Sequence, residues 1–158
     1  MTVSLEPARL DDLAQLVELL HVLFTQEQEL QPDAAKQERG LRLILENPAV
    51  GRIYVAREGS RVLGMVNIQK TVSTAEGGAV GSLEDFVVRP ELRGRGLGTR
   101  LIRYAIDQCE AEGLLRLMLL TDGDNAGAQR LYEKAGFARS GMLPMRLNLP
   151  TGRRTGRT

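Results

Sequence analysis

The stretch spanning residues 84–99 constrains the fold of this chain more than any other part of the sequence. An apolar, strand-like run ends at Pro90, a glycine-rich turn follows, and an amphipathic pattern then opens a helix. Gly94, Gly96 and Gly98 allow the backbone to approach a ligand closely. The first N–H groups of a helix have no internal acceptor and carry partial positive charge. The order of strand, turn and helix therefore predicts an anion-binding cradle at the helix N-terminus.

The spacing of this turn separates three kinds of phosphate-binding loop. A Walker loop ends in Gly-Lys-Ser/Thr, which is absent here. A dinucleotide fingerprint needs a third glycine where Thr99 stands. What remains is the pattern Arg-x-x-Gly-x-Gly, formed by Arg93, Gly96 and Gly98. Because Arg95 adds a second cation, the turn favours a ligand that carries several phosphates.

This pattern closely resembles the pyrophosphate-binding motif of the GNAT superfamily of N-acetyltransferases, which use acetyl-coenzyme A. A second family pattern, Asn-x-x-Ala-x-x-Leu-Tyr-x-x-x-Gly-Phe, is matched without a departure. Its matching residues are Asn125, Ala128, Leu131, Tyr132, Gly136 and Phe137. The resemblance is specific over about residues 80–140, and before that it is a likeness of element order only.

The resemblance implies an α/β (α+β) fold built on a central, mixed, mostly antiparallel β-sheet. That sheet is expected to be splayed, to have about six to seven strands and to be flanked by about four helices. The chain is long enough for one domain, which we assign to residues 1–149. Residues 150–158 form a basic tail without apolar side chains, for which we predict disorder.

Hydrophobic periodicity and turn residues predict the individual elements. A helix over residues 11–24 begins the fold in this prediction, a second helix covers 33–46, and a hairpin joins strands at 52–57 and 61–70. The strand at 80–88 leads into the cradle, and the helix at 96–112 carries an apolar stripe. The almost wholly apolar run 114–120 predicts a strand buried on both faces. A helix capped by Asp124 or Asn125 and a last strand at 142–149 complete the series.

By the same resemblance, the contacts to the cofactor fall on three segments. The backbone of Phe86, Val87 and Val88 is expected to bind the pantetheine arm. The turn and helix start are expected to hold the pyrophosphate through Arg93, Gly94, Arg95, Gly96, Leu97, Gly98 and Thr99. The later helix contributes Asn125, Ala128, Leu131 and Tyr132.

Acetyl transfer to an amine requires a group that accepts the amine proton and a group that donates one to the departing thiolate. Tyr132 occupies the family position of the general acid, although a core aromatic with a satisfied hydroxyl is the alternative. The resemblance makes Glu84 the candidate base, because several enzymes of the family have a glutamate a few residues before the end of this strand. Strand alternation also places Glu84 on one face with Phe86 and Val88, while Asp85 points the other way. An ordinary solvated strand residue is an equal interpretation of Glu84. The base also varies in position within the family.

The acceptor is left open among an amino acid, a polyamine, a drug and a protein lysine. Substrate-facing segments of the family correspond to about residues 22–34 and 71–82. Glu27 and Glu29 give the first of these a negative charge that suits a cationic amine, but a solvated acidic helix end explains them as well. Whether the chain forms a homodimer is also open.

Composition excludes several other classes. The 158 residues carry a net charge of +1, which provides no field for nucleic acid or membrane, and no apolar run approaches the length of a membrane span. We therefore expect neither partner and a cytoplasmic location. One cysteine, Cys109, excludes an internal disulfide and argues against a cysteine-based zinc site, and we expect no metal. As a core-stripe residue, Cys109 is expected to be buried rather than acylated.

Two rival functions stay open. The first is a catalytically silent module of the same fold that binds acetyl-coenzyme A as a sensor or scaffold, against which the intact Tyr132 and Asn125 argue. The second is a nucleic-acid-binding protein that uses the arginines near the cradle and in the tail. The balanced charge of the chain and its 4% aromatic content fit that class poorly.

Overall fold

The computed structural model describes residues 2–27 and 31–150. In this part of the chain it contains five strands and four helices. In chain order these are β1 (Ser4–Pro7), α1 (Leu13–Gln26), α2 (Ala34–Leu45), β2 (Gly51–Glu58), β3 (Arg61–Ser73), β4 (Gly78–Val88), α3 (Leu97–Ala111), β5 (Leu117–Leu119) and α4 (Ala126–Lys134). Short 3-10 turns precede α1 and α3. Residues 151–158 lie outside the described residues, so the tail stays a prediction.

The strands form one sheet in the order β1-β2-β3-β4-β5. The first four strands pair antiparallel, and β5 runs parallel to β4. This arrangement confirms the mixed, mostly antiparallel sheet and the four helices. The predicted count of six to seven strands is wrong for the described residues, where there are five.

Two apolar layers cover the two faces of the sheet. On one face, α1 and α2 pack Leu16, Leu19 and Leu41 against the sheet. On the other, α3 presents the predicted stripe of Leu97, Leu101, Ala105 and Cys109, all of them buried. Adjacent residues of β4 divide between the layers, with Val87 under α1 and Val88 under α3, because successive side chains of a strand point to opposite faces. This strand is thereby fixed between the helices that surround the site.

The prediction that a helix begins the fold is wrong, because β1 precedes α1 and pairs with β2. A buried ion cluster joins these elements. The Arg57 guanidinium donates to the Asp12 carboxylate at 2.6 and 2.8 Å and to Glu6 at 2.6 Å. A four-residue strand has too little hydrophobic pattern to be predicted by itself, and the charges that hold it come from β2 and from the turn before α1.

The C-terminal part of the sheet differs most from expectation. The predicted buried strand at 114–120 is reduced to the three residues of β5, and Leu115 and Leu120 are 54% and 72% exposed. The predicted strand at 142–149 is also wrong, since residues 138–150 contain no regular secondary structure. An apolar run is buried only if another element covers it, and among the described residues the sheet ends at β5.

Candidate active site

The turn before α3 has the backbone geometry that an anion cradle requires. Gly94 and Gly96 adopt φ values of +77° and +78°, a region that L side chains rarely occupy. A Cβ at either position would meet no atom within 4 Å, so the backbone conformation rather than crowding calls for glycine. Gly96 caps α3 without a side-chain acceptor, and the first N–H groups of the helix therefore have no capping partner. The fifteen-residue helix adds its positive dipole end.

Gly98 has a different role, because it lets α3 approach β4 and α4. A Cβ built on Gly98 would lie 3.3 Å from the Phe86 ring and 3.4 Å from the Leu131 methyl group. The start of α3 thus lies close to two residues that the resemblance assigns to the cofactor. Leu97 itself is buried in the core, so its backbone N–H is the group that it can offer to a ligand.

Arginine side chains surround the turn. Arg93, Arg95 and Arg100 are exposed, as is Thr99. With the Gln26 amide oriented so that its oxygen faces the guanidinium, it accepts hydrogen bonds from Arg93 at 2.8 and 3.1 Å. This contact brings the end of α1 to the cradle.

An open strand edge continues from the cradle into the sheet. β4 pairs with β5 only where Gly81–Leu83 meet Leu117–Leu119. From Glu84 to Val88, β4 has no paired strand on that side among the described residues. Phe86 is half-buried while Val87 and Val88 are buried, so it is the main chain of this edge that can meet an extended ligand. The geometry is that of the splayed strand which the resemblance implied.

Helix α4 lies beside the open edge of β4, because its Tyr132 packs against Phe86. Asn125 caps it, as one of the two sequence alternatives predicts, and its side-chain oxygen accepts a hydrogen bond from the Ala128 amide at 3.2 Å. Ala128 is half-buried, and Leu131 and Tyr132 pack against the layer under α3.

The Tyr132 ring is held between two phenylalanines. Its centroid lies 6.0 Å from that of Phe86 and 6.0 Å from that of Phe137. Burial, and next the charge of the Glu27 carboxylate, raise the pKa of Tyr132 to about 12. Among the described residues the hydroxyl makes no hydrogen bond. The ring packs between its two aromatic neighbours. Because the pKa is raised, the hydroxyl keeps its proton at neutral pH.

The Glu27 carboxylate, whose charge acts on the Tyr132 hydroxyl, is itself influenced by two further carboxylates. Burial and the charges of Asp122 and Asp85 raise the pKa of Glu27. Burial also raises the pKa of Asp85. The Asn67 side-chain amide donates a hydrogen bond of 2.8 Å to this carboxylate and lowers the pKa by a smaller amount. Sequence reasoning missed Asp85 and Asp122 as part of this group. Asn67 faces Asp85 in the register of β3 and β4, a pairing that the sequence does not display.

Glu84 lies at a β-bulge, which changes the reasoning on which its assignment rests. The register passes from Asn67–Asp85 to Ile68–Leu83 and leaves Glu84 unpaired with β3. Leu83 and Phe86 consequently pack in the same layer, and simple alternation does not hold across the bulge. The Glu84 carboxylate is exposed and accepts a hydrogen bond from the Ser82 hydroxyl at 2.8 Å. Its role as base stays a prediction.

Glu29 lies outside the described residues. Cys109 is 3% exposed, and burial raises the pKa of its thiol to about 11, which disfavours the reactive thiolate. Within residues 2–27 and 31–150, no helix is long and apolar enough to cross a membrane, and no cluster of three or more His, Cys, Asp or Glu residues could hold a metal ion.

The family model of the acetyltransferase (GNAT) family matches residues 13–137. The chain belongs to the GNAT family. The match covers the cradle, the open edge of β4 and α4, so the resemblance that the two motifs carried is confirmed.

Relatives within the GNAT family agree with this membership. A mycothiol acetyltransferase from Kocuria rhizophila is 36% identical over 83 residues, which cover 52% of this chain but only 27% of that protein. An uncharacterized N-acetyltransferase of Bacillus subtilis is 31% identical over 99 residues, covering 62% of this chain and 66% of the relative. The chain thus matches about a quarter of the length of the first of these proteins.

Among solved structures, a possible acetyltransferase from Clostridium difficile 630 superposes with a TM-score of 0.84. It shares 18% sequence identity, and the superposition covers 96% of this chain and all of that one. At this identity the likeness concerns the fold.

Proposed function

We propose that this GNAT protein transfers the acetyl group of acetyl-coenzyme A to a primary amine, by direct attack of the amine in a ternary complex. One observation carries the proposal. A Cβ at Gly98 in the cradle would lie 3.3 Å from the ring of Phe86 on the open edge of β4, and the centroids of the Phe86 and Tyr132 rings are 6.0 Å apart. The glycine-rich turn, the open edge of β4 and the Tyr132 side chain are therefore neighbours, which supports their use as phosphate site, main-chain binding edge and proton donor.

The residues present fit the cofactor. Positive-φ glycines, unpaired helix N–H groups and the exposed Arg93 and Arg95 suit a pyrophosphate. The free main-chain groups of β4 suit an amide-bearing arm. Acetyl-coenzyme A supplies an acetyl group activated as a thioester.

In this proposal Tyr132 is the general acid. Its hydroxyl holds a proton at neutral pH and donates it to the sulfur that leaves as a thiolate. The contacts with Phe86 and Phe137 fix the direction of the phenol. Backbone N–H groups at the open edge of β4 polarise the carbonyl that is attacked.

A carboxylate takes the proton from the amine, directly or through water. Glu84 is our assignment from the sequence, and Glu27 is the second candidate because its charge acts on Tyr132. An alkylammonium has a pKa near 10.4 and no free electron pair while protonated, so the reaction needs such an acceptor at neutral pH. The negative charge of Glu27, Asp85 and Asp122 favours an acceptor that arrives as a cation. A small-molecule amine and a protein amine both meet this requirement.

The test is acetyl transfer by the purified chain. Acetyl-coenzyme A is mixed with a panel of cationic, neutral and acidic amines, free thiol is measured, and acetylated products are identified by mass spectrometry. We expect turnover above the amine-free blank with at least one cationic amine. Stabilisation by acetyl-coenzyme A without any turnover would instead support the silent module, and thermal stabilisation by nucleic acid alone would contradict both.

The pH profile of two variants identifies the base. If Glu84 takes the amine proton, Glu84→Gln lowers kcat/KM most at neutral pH and recovers towards high pH, where the amine is already deprotonated. If Glu27 does so, Glu27→Gln shows this behaviour instead. In that case the acidic limb of the parental pH profile of kcat/KM lies above the pH at which an ordinary glutamate titrates, because the Glu27 pKa is raised. This limb disappears in Glu27→Gln.

Glu58→Gln is the matched control, because Glu58 lies at the hairpin between β2 and β3. It should retain the parental profile. Parallel profiles of similar height in both test variants would exclude both glutamates and leave a water held by main-chain carbonyls.

A further inference from the structure

The Asn67 side chain is buried on β3 with one of its two polar atoms unpaired. Asn67 is 2% exposed, and its amide nitrogen donates a hydrogen bond of 2.8 Å to the Asp85 carboxylate. Among the described residues, its amide oxygen accepts no hydrogen bond. A buried acceptor without a donor costs free energy that a bound donor recovers. The oxygen therefore calls for a hydrogen-bond donor from outside the chain, beside Asp85.

Asp85 belongs to a group of three half-buried carboxylates, which we call the acidic cluster: Glu27 after α1, Asp85 on β4 and Asp122 before α4. Burial and the charges of Asp122 and Asp85 raise the pKa of Glu27, so the other two members act on Glu27. No lysine or arginine of the described residues forms an ion pair with any of the three. Half-buried carboxylates without a counterion are unfavourable, and the cluster therefore favours a ligand that brings positive charge.

The reacting amine cannot supply this charge during the reaction. Its nitrogen attacks the thioester only after it has lost its proton, and it ends as an uncharged amide. The positive charge that balances the acidic cluster must therefore come from a second group of the acceptor, one that keeps its proton. An ammonium group suits this position, because its three N–H donors can serve the Asn67 oxygen and the Asp85 carboxylate together.

We infer that the acceptor is a small diamine, whose second ammonium group binds at Asp85 and Asn67 while its first amino group is acetylated. The inference rests on the proposed acetyl transfer and names its substrate class. The reacting nitrogen passes its proton to the carboxylate base and forms the N–C bond as the C–S bond breaks, Tyr132 protonates the leaving thiolate, and the second ammonium is unchanged. Because Asn67 is almost wholly enclosed, a compact group on a flexible chain can approach it better than a folded protein surface can.

The first experiment compares putrescine, a diamine, with pentylamine, in which a methyl group replaces the second ammonium. Acetyl transfer to each amine is measured by thiol release with the full chain at saturating acetyl-coenzyme A. We expect kcat/KM for putrescine to exceed that for pentylamine by about 10-fold or more, the size of one charge-assisted contact. Asp85→Asn should bring this ratio close to unity, since it removes the charge and keeps an oxygen for the Asn67 donor.

Asp107→Asn is the matched control, because Asp107 is an exposed aspartate on α3. It should retain the parental ratio. Melting temperatures check the fold, and Asp85→Asn should melt no lower than the parent because it removes a half-buried charge. A ratio near unity in the parent, or equal ratios in the parent and Asp85→Asn, would overturn the inference and leave acetyl transfer to amines intact.

A binding measurement separates this inference from the proposed transfer. Putrescine is titrated calorimetrically into the chain saturated with coenzyme A, which carries no acetyl group to transfer. We expect Asp85→Asn to weaken putrescine binding by about 10-fold or more and Asp107→Asn to leave it unchanged. This result without turnover of any amine would support the cation site and contradict the acetyl transfer. Equal putrescine affinity in the parent and Asp85→Asn would exclude a cation site at Asp85.

Discussion

The variant Tyr132→Phe is expected to lower kcat by about 10- to 1,000-fold, as for the loss of a general acid. The hydroxyl makes no hydrogen bond among the described residues, so its removal leaves the ring contacts with Phe86 and Phe137 in place. Affinity for acetyl-coenzyme A should therefore change little. Steady-state kinetics with a saturating amine, together with the thermal shift on adding acetyl-coenzyme A, measures the two effects separately.

Tyr104→Phe is the control for this experiment. Tyr104 is also a half-buried tyrosine in a ring contact, but it packs on Tyr54 with centroids 5.5 Å apart and lies on α3 rather than beside the open edge. It should retain parental turnover. Equal activity of parent and Tyr132→Phe would reduce Tyr132 to a packing residue.

The double variant Arg93→Glu/Arg95→Glu is expected to weaken acetyl-coenzyme A binding by about 100-fold or more. Two charge-assisted hydrogen bonds at roughly 1.5 kcal/mol each amount to about 3 kcal/mol, and the new carboxylates add repulsion of the phosphates. Both side chains are exposed, so the fold should persist. Isothermal titration with acetyl-coenzyme A measures the affinity, and the melting temperature without ligand measures the fold.

The matched control reverses two cations elsewhere. Lys36 and Arg39 are exposed on α2, so Lys36→Glu/Arg39→Glu changes the net charge by the same amount away from the cradle. If both double variants lost affinity equally, the effect would be one of overall charge. An unchanged affinity of Arg93→Glu/Arg95→Glu would place the phosphates elsewhere.

Local rules account for the local structure around the candidate site that the sequence predicted correctly. The positive φ of Gly94 and Gly96 and the cap formed by Asn125 depend on residues within a few positions along the chain. The buried stripe of α3 follows from helical periodicity in the same way. The family motifs consist of these local features, and this is why the family could be recognised before the fold was known.

Long-range contacts account for what the sequence left undecided. The bulge at Glu84 depends on the register with β3, which interrupts the alternation that placed this side chain. Glu27, Asp85 and Asp122 come from the end of α1, from β4 and from the loop before α4, so their mutual charge effects exist only in the folded chain. The sequence supplies the types of acid and base, whereas the fold decides which carboxylates lie near Tyr132.

By itself, the sequence determined the glycine-rich turn that opens α3, the position of the α4 cap at Asp124 or Asn125, the apolar stripe of α3 and membership of the GNAT family, because each depends on neighbouring residues or on a fixed period. Only the tertiary structure decided which apolar runs are covered. The runs at 114–120 and 142–149 have the composition of buried strands, yet most of their large side chains are exposed here. An apolar segment is buried only when a second element of the fold packs against it, and the sequence of the segment alone does not specify that second element.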